Sequence, residues 1–259
     1  MLPKIAANIT YMEQIVIATG RFQTVHLGTV AYLSAAKKLA ESDRCRFVVL
    51  TGPNDAELPI HGRKDHDSII LRRPLLFRER QVLLSVILGI VPEAILVQDS
   101  SPHHGPEGLT RWVERFFDPV VMHFGRQFDI GEKSSSTQVK LAVVIKASDV
   151  KTYIEGKDRE HYTSYLLRKY PWLRVVDLAT SIGLDEQAPV LGASEIPRNK
   201  VSRARFLPPV MIAAEAMIDD GMLLMDEKSI WILTSIYRRF GNQCMPTIEV
   251  MSYLKNLMA

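Results

Sequence analysis

The polar and apolar positions of this chain fall into blocks whose period switches regularly. Gln14-Ile15-Val16-Ile17-Ala18-Thr19 is a short apolar run rich in β-branched residues, closed by Gly20. A run of that kind ended by a glycine predicts a buried strand. From Gly28 to Asp43, Val30, Leu33, Ala36 and Leu39 recur at helical spacing among Lys37, Lys38 and Glu41, which predicts an amphipathic helix. The same reading gives a strand over Arg46–Gly52, a helix over Phe77–Leu88 and a strand over Ala94–Gln98. A helix follows over Leu109–Phe117, then a fourth strand over Pro119–Met122 and a fifth over Leu141–Lys146. A helix over Arg159–Lys169 and a strand over Leu173–Leu178 complete the series.

Strands that alternate with helices imply an α/β fold, with a mostly parallel sheet and helices on both faces. Ligands of such sheets sit at the carboxyl ends of the strands, near a switch in strand order. The loop after the first strand, which contains His26, is therefore the first place to look. Two polar connectors interrupt the pattern, Pro53–Pro74 and Gly125–Ser136. The first is long enough to suggest a functional or mobile loop. After Gly221 the character changes, and Leu223–Tyr237 and Thr247–Leu257 read as amphipathic helices. They could form a helical cap, a subdomain or a surface for a homo-oligomer. The expected division is a domain over 1–206 and a C-terminal helical extension over 207–259. No internal repeat is visible.

Composition narrows the classes. The chain has 259 residues, 47% of them hydrophobic and 24% charged, enough for a core that needs no staples. Cys45 and Cys244 are far apart and match no metal spacing. They read as buried thiols of a reducing compartment. A net charge of +3 is too small to argue for nucleic acid or an anionic membrane as partner. No apolar run approaches the ~20 residues that span a bilayer, and Met1–Gln14 lacks the pattern of a secretory signal. The expected location is the cytoplasm.

The loop Gly20-Arg21-Phe22-Gln23-Thr24-Val25-His26-Leu27-Gly28-Thr29 carries candidate chemistry. A strand, a glycine turn and a helix start make an anion site, because the first turn of a helix offers unpaired N–H groups and the positive end of the dipole. Gly20 and Gly28 let the backbone approach a phosphate closely. Arg21 and His26 can add charge and hydrogen bonds. A plain tight turn between strand and helix would use the same residues.

The residue order adds to this. Gly-Arg-Phe-Gln-x-x-His-x-Gly-x after a first strand resembles the adenylyltransferases of the HIGH-motif nucleotidyltransferase superfamily, which typically read Gly-Arg-Phe-Gln-Pro-x-His-x-Gly-His. Here Thr24 stands at the proline position and Thr29 at that of the second histidine. Arg73-Pro74-Leu75-Leu76-Phe77-Arg78-Glu79-Arg80 resembles the family's Asn-Pro-Phe-x-x-x-Glu-Arg segment. Gln98-Asp99 with Arg111-Trp112-Val113 is similar to the Asp and Trp-Val of nicotinamide-mononucleotide (NMN) adenylyltransferases, in which the tryptophan stacks on nicotinamide. Gly156-Lys157-Asp158, Ser164-Tyr165-Leu166 and Tyr170-Pro171-Trp172 resemble the subgroup often fused to a Nudix hydrolase, with looser spacing; no Nudix segment is visible. Gly192-Ala193-Ser194-Glu195-Ile196-Pro197-Arg198 resembles the second phosphate motif, Ser-Gly-Thr-Glu-Ile-Arg. The resemblance runs from about residue 14 to 206 and leaves the tail outside.

The resemblance implies a Rossmann-like nucleotidyltransferase fold and transfer of AMP from ATP to a mononucleotide, most naturally NMN, giving NAD and pyrophosphate. It implies an ATP site of Gly20, Arg21, Phe22, His26, Gly28, Ser194 and Arg198, and a mononucleotide site of Arg80, Asp99 and Trp112. His26, Thr29 and Arg198 would be the catalytic residues, and Mg²⁺ would accompany ATP, although no carboxylate cage is evident. Arg198 sits one position late because Pro197 fills the arginine slot, and one residue turns a helix by about 100°, so Arg203 and Arg205 are alternatives. Threonine at 29 can donate one hydrogen bond but carries no charge, and losing one transition-state donor typically costs about 10²–10³-fold in rate. A catalytically weakened nucleotide-binding or regulatory homologue, or a transferase with a different phosphorylated acceptor, is the competing expectation. His61, His66, His103, His104 and His123 are further histidines that could compensate.

Overall fold

The computed structural model describes residues 15–20, 22, 24–51, 75–97, 139–143, 173–178, 202 and 204–259. Five strands form one sheet: β1 (Ile15–Gly20), β2 (Arg46–Thr51), β3 (Ile95–Val97), β4 (Val139–Val143) and β5 (Leu173–Asp177). The order is β3-β2-β1-β4-β5, and every pairing is parallel. Four strands differ slightly from the sequence expectation, β5 by ending at Asp177 rather than Leu178. β1 includes Gly20, β3 begins after a 3-10 turn over Pro92–Ala94, and β4 starts earlier, at Val139. The helices expected over Leu109–Phe117 and Arg159–Lys169, and the strand over Pro119–Met122, lie outside the described residues.

Both faces of the central strands are buried. Val16, Ala18 and Val49 belong to the main hydrophobic cluster, together with Leu33, Ala36, Leu83, Leu84 and Ile87 of the helices. Ile15, Ile17 and Leu50 point the other way along the strands and are equally buried, outside that cluster. That explains why these strands read as continuous apolar runs rather than as alternating ones. Helix α1 (Leu27–Ser42) packs on β1 and β2, and α2 (Phe77–Leu88) packs on β3 and touches α1, so both lie on one face.

The ends of α2 follow from local chemistry. The Glu79 carboxylate accepts the Leu76 N–H at 2.8 Å, half of a capping box. At the other end Gly89 adopts φ 60°, the left-handed conformation that closes helices and that glycine takes without a Cβ penalty.

The C-terminal stretch holds α3 (Pro209–Asp219), α4 (Glu227–Phe240) and α5 (Thr247–Met258). The sequence pattern does not announce α3. Pro208 and Pro209 look like a break, yet they stand at the N-cap and first helical position, where a missing N–H costs nothing. Pro209, Val210, Met211, Ile212, Ala213, Ala214 and Met217 are all buried, so only Glu215 and Asp219, near the end, mark a polar side and the period is faint. Helix α4 begins at Glu227 rather than at Leu223. Gly221 at φ 77° ends α3, and the loop that follows buries Leu224. The T-shaped pair Phe240–Tyr253, with centroids 5.6 Å apart, joins α4 to α5. Asn242 Nδ2 donates to the Ile87 carbonyl at 3.2 Å and ties the α4–α5 turn to the end of α2. Residues of β1, α1, α2 and all three C-terminal helices share one hydrophobic cluster.

Candidate functional site

The strand order locates the site before any side chain is considered. From β1 the chain builds outward to β2 and β3, then returns to the other side of β1 as β4 and β5. Adjacent connections of opposite sense leave a crevice at the carboxyl end of β1, the switch point at which open α/β sheets bind ligands. That end is Gly20, where the loop to α1 begins.

Gly20 and Phe22 are fitted to each other. Phe22 has φ 50°, a left-handed conformation that costs an L residue about 1–2 kcal/mol, and the residue is only 8% exposed. A Cβ on residue 20 would stand 2.5 Å from the ring's Cε1 and Cζ. The ring thus lies over the glycine, which must remain bare. Thr24 and Val25 are buried as well.

His26 is the N-cap of α1, with φ −106° and ψ 169°, and its side chain accepts the Thr29 N–H. The N–Nδ1 distance is 3.2 Å. An imidazole nitrogen that accepts carries no proton, so the ring's single proton lies on Nε2. His26 and Thr29 are both buried, at 3% and 8% exposure. The sequence suggested a helix start with unpaired donors, and the structure corrects this. The Leu27 N–H is bonded to the Phe206 carbonyl at 2.8 Å, and that of Thr29 to His26. Among the described residues only Gly28, of the three first-turn positions, has an N–H without a protein acceptor. Among the described residues the first turn of α1 therefore presents one backbone donor, not a cradle of them.

Arg80 on α2 is wholly buried, and its Nε and Nη2 make no hydrogen bond, although the side chain has other interactions. A buried guanidinium is costly unless something anionic repays its desolvation. Arg205 is exposed and stacks on the ring of its neighbour Phe206, 4.7 Å from the centroid. Arg21, Asp99, Trp112, Ser194, Arg198 and Arg203 lie outside the described residues, as do the five further histidines. Among the described residues no group of three His, Cys, Asp or Glu side chains could hold a metal, and no helix is long and apolar enough to cross a membrane. Neither cysteine is in a disulfide. Cys45 is partly exposed and Cys244 exposed, so neither is the buried thiol expected.

The contact of Phe206 with the start of α1 is the feature that sequence reading missed. No local pattern pairs residues so far apart.

Together these features define an α/β domain with a parallel sheet in the order of the dinucleotide-binding folds and a histidine-capped helix at its switch point. No protein-family model matches the chain, and no curated protein does. Among solved structures it is similar to a bifunctional NMN adenylyltransferase/ADP ribose pyrophosphatase from Francisella tularensis, at 12% identity and a TM-score of 0.39. The match covers 89% of this chain and 53% of that one, so this chain spans about half the length of that protein.

Proposed function

We propose that this chain is a nucleotidyltransferase that moves AMP from ATP to a mononucleotide, with NMN as acceptor and NAD and pyrophosphate as products. The carrying observation is that the Gly-Arg-Phe-Gln-x-x-His-x-Gly loop leaves the carboxyl end of β1 at the switch point of the sheet.

In this reading an oxygen of the acceptor's phosphate attacks the α-phosphorus of ATP, a P–O bond forms, and the bond to the leaving pyrophosphate breaks. No protein nucleophile takes part, so catalysis is positioning and stabilisation of charge on the phosphate oxygens. His26 serves as a neutral donor through Nε2–H, held in that tautomer by the Thr29 N–H on Nδ1. The Gly28 N–H and the Thr29 hydroxyl supply further donors. Ser194 and Arg198 hold the phosphates that leave. Arg80, Asp99 and Trp112 receive the mononucleotide, Arg80 as the cation and Trp112 as the stacking surface. Mg²⁺ would arrive with the phosphates of ATP and neutralise part of their charge. The described residues provide no cage for it, and no residue is assigned to it. A cytoplasmic location and a homo-oligomer built on the C-terminal helices belong to the same reading.

One observation favours a second reading. Thr29 fills the position of the second motif histidine and is buried, so the chain could bind nucleotide and turn it over slowly or not at all. Incubation with ATP, Mg²⁺ and a panel of acceptors (NMN, nicotinic acid mononucleotide, a pantetheine phosphate) separates the two. Pyrophosphate with NMN supports the transferase. ATP binding by calorimetry without pyrophosphate from any acceptor supports the binding protein. Absence of ATP binding overturns both.

A further inference from the structure

The first N–H of a helix at a ligand site is ordinarily left for the ligand or for water. Here it is taken by the carbonyl of Phe206 at 2.8 Å, a residue of the turn that leads into the C-terminal helices. That turn is itself held. Leu207 N–H closes it onto the Ala204 carbonyl at 3.1 Å. The Cys244 thiol, in the α4–α5 turn, donates to the Arg205 carbonyl at 3.4 Å. The α4–α5 turn is in turn fixed to α2 through Asn242 and the Ile87 carbonyl. A continuous set of contacts thus runs from α2 through the α4–α5 turn and the 204–207 turn to the start of α1.

We propose that the 204–207 turn, backed by the C-terminal helices, is a strut that positions the loop at residues 20–29, so that docking of these helices and filling of the loop are linked. The Phe206 carbonyl fixes where α1 begins. It also places a carbonyl oxygen where a second phosphate oxygen would otherwise bond, so of the first-turn backbone donors of α1 only the Gly28 N–H is left for a ligand phosphate. By reciprocity, a ligand that binds better to the fixed loop also protects the turn. This inference rests on the proposed nucleotide site for its ligand, but the strut exists in the free protein and can be tested there.

Leu27→Pro is the selective perturbation. Proline removes the N–H yet suits the first position of a helix, and His26 already has the extended backbone that precedes proline. Leu27→Ala is the control, since it loses the same side chain and keeps the N–H. Amide hydrogen exchange of full-length, ligand-free protein should show faster exchange at Leu207 in Leu27→Pro than in Leu27→Ala. The expected difference is roughly two- to tenfold, the worth of one net hydrogen bond. Equal exchange overturns the strut whatever the protein binds. With ATP added, Leu207 should slow in wild type and in Leu27→Ala but not in Leu27→Pro. Equal slowing in all three overturns the linkage. If wild type binds no ATP, the nucleotide reading fails, while the ligand-free comparison still decides the strut. Should Leu27→Pro not fold, Cys244→Val against Cys244→Ser replaces it. The serine keeps a donor for the Arg205 carbonyl, and exchange at Leu207 should be faster in the valine variant; no difference overturns the proposal.

Discussion

Gly20→Ala isolates the fit on which the loop depends. The backbone of Gly20 is not in the left-handed region, so alanine meets no conformational penalty there, and the obstacle is steric. Its Cβ would lie 2.5 Å from Cε1 and Cζ of Phe22 and 3.2 Å from Cδ1, against an ordinary carbon–carbon contact of about 3.5–4.0 Å. The ring cannot swing away freely, because it is buried in the main cluster and its own backbone is already in the left-handed region. If the ring leaves the core, the loss approaches the burial of one Phe side chain, about 1.5–3 kcal/mol. If the core shifts instead, overpacking costs about 1–3 kcal/mol. Replacing glycine stabilises through the unfolded chain by roughly 0.4–1 kcal/mol, so the net loss should be about 1–2 kcal/mol. Urea denaturation should show a lower midpoint with an unchanged slope. In a Phe22→Ala background the clash is gone, and Gly20→Ala should become neutral or slightly stabilising, a coupling of at least about 1 kcal/mol. Additive losses, or no loss in the wild-type background, would refute the account of the turn.

Three further outcomes are expected. His26→Ala should destabilise by about 1 kcal/mol through loss of the cap, and His26→Asn should restore most of it without restoring pyrophosphate release; recovery of both would remove the imidazole from the chemistry. Thr29→Val keeps the shape and deletes the hydroxyl, and should lower turnover by about 10²-fold if that hydroxyl is a transition-state donor, whereas unchanged turnover assigns it to packing. Arg80→Met should lower mononucleotide affinity at least about tenfold, the loss of one charge-assisted hydrogen bond; calorimetry with NMN showing wild-type affinity would exclude Arg80 from the site.

How much was legible in the sequence depended on how local each signal was. β1, β2 and α1 could be read nearly to their ends, and α2 to the residue, because each carries its own burial pattern within a few residues. The loop at residues 20–29 was legible as a candidate phosphate site because a glycine turn between strand and helix is also local. What that loop does with its donors was not legible. The cap of His26 on Thr29 depends on a side-chain rotamer, and the bond of Leu27 to Phe206 joins segments that only folding brings together. α3 was missed because its first six residues are all buried and apolar, which leaves only Glu215 and Asp219 near its end to give it a period.

The sequence by itself determined that strands and helices alternate, that the first strand ends on a glycine turn, and that a histidine precedes the helix. Short-range periodicity and turn chemistry suffice for that. Only the tertiary structure decided that β4 pairs with β1, which puts the loop at a switch point. It alone decided that the tail shares the core and that a backbone carbonyl from its leading turn occupies the first donor of α1. These are pairings between segments far apart in the chain, specified by the summed burial of many apolar side chains and written in no single stretch of it.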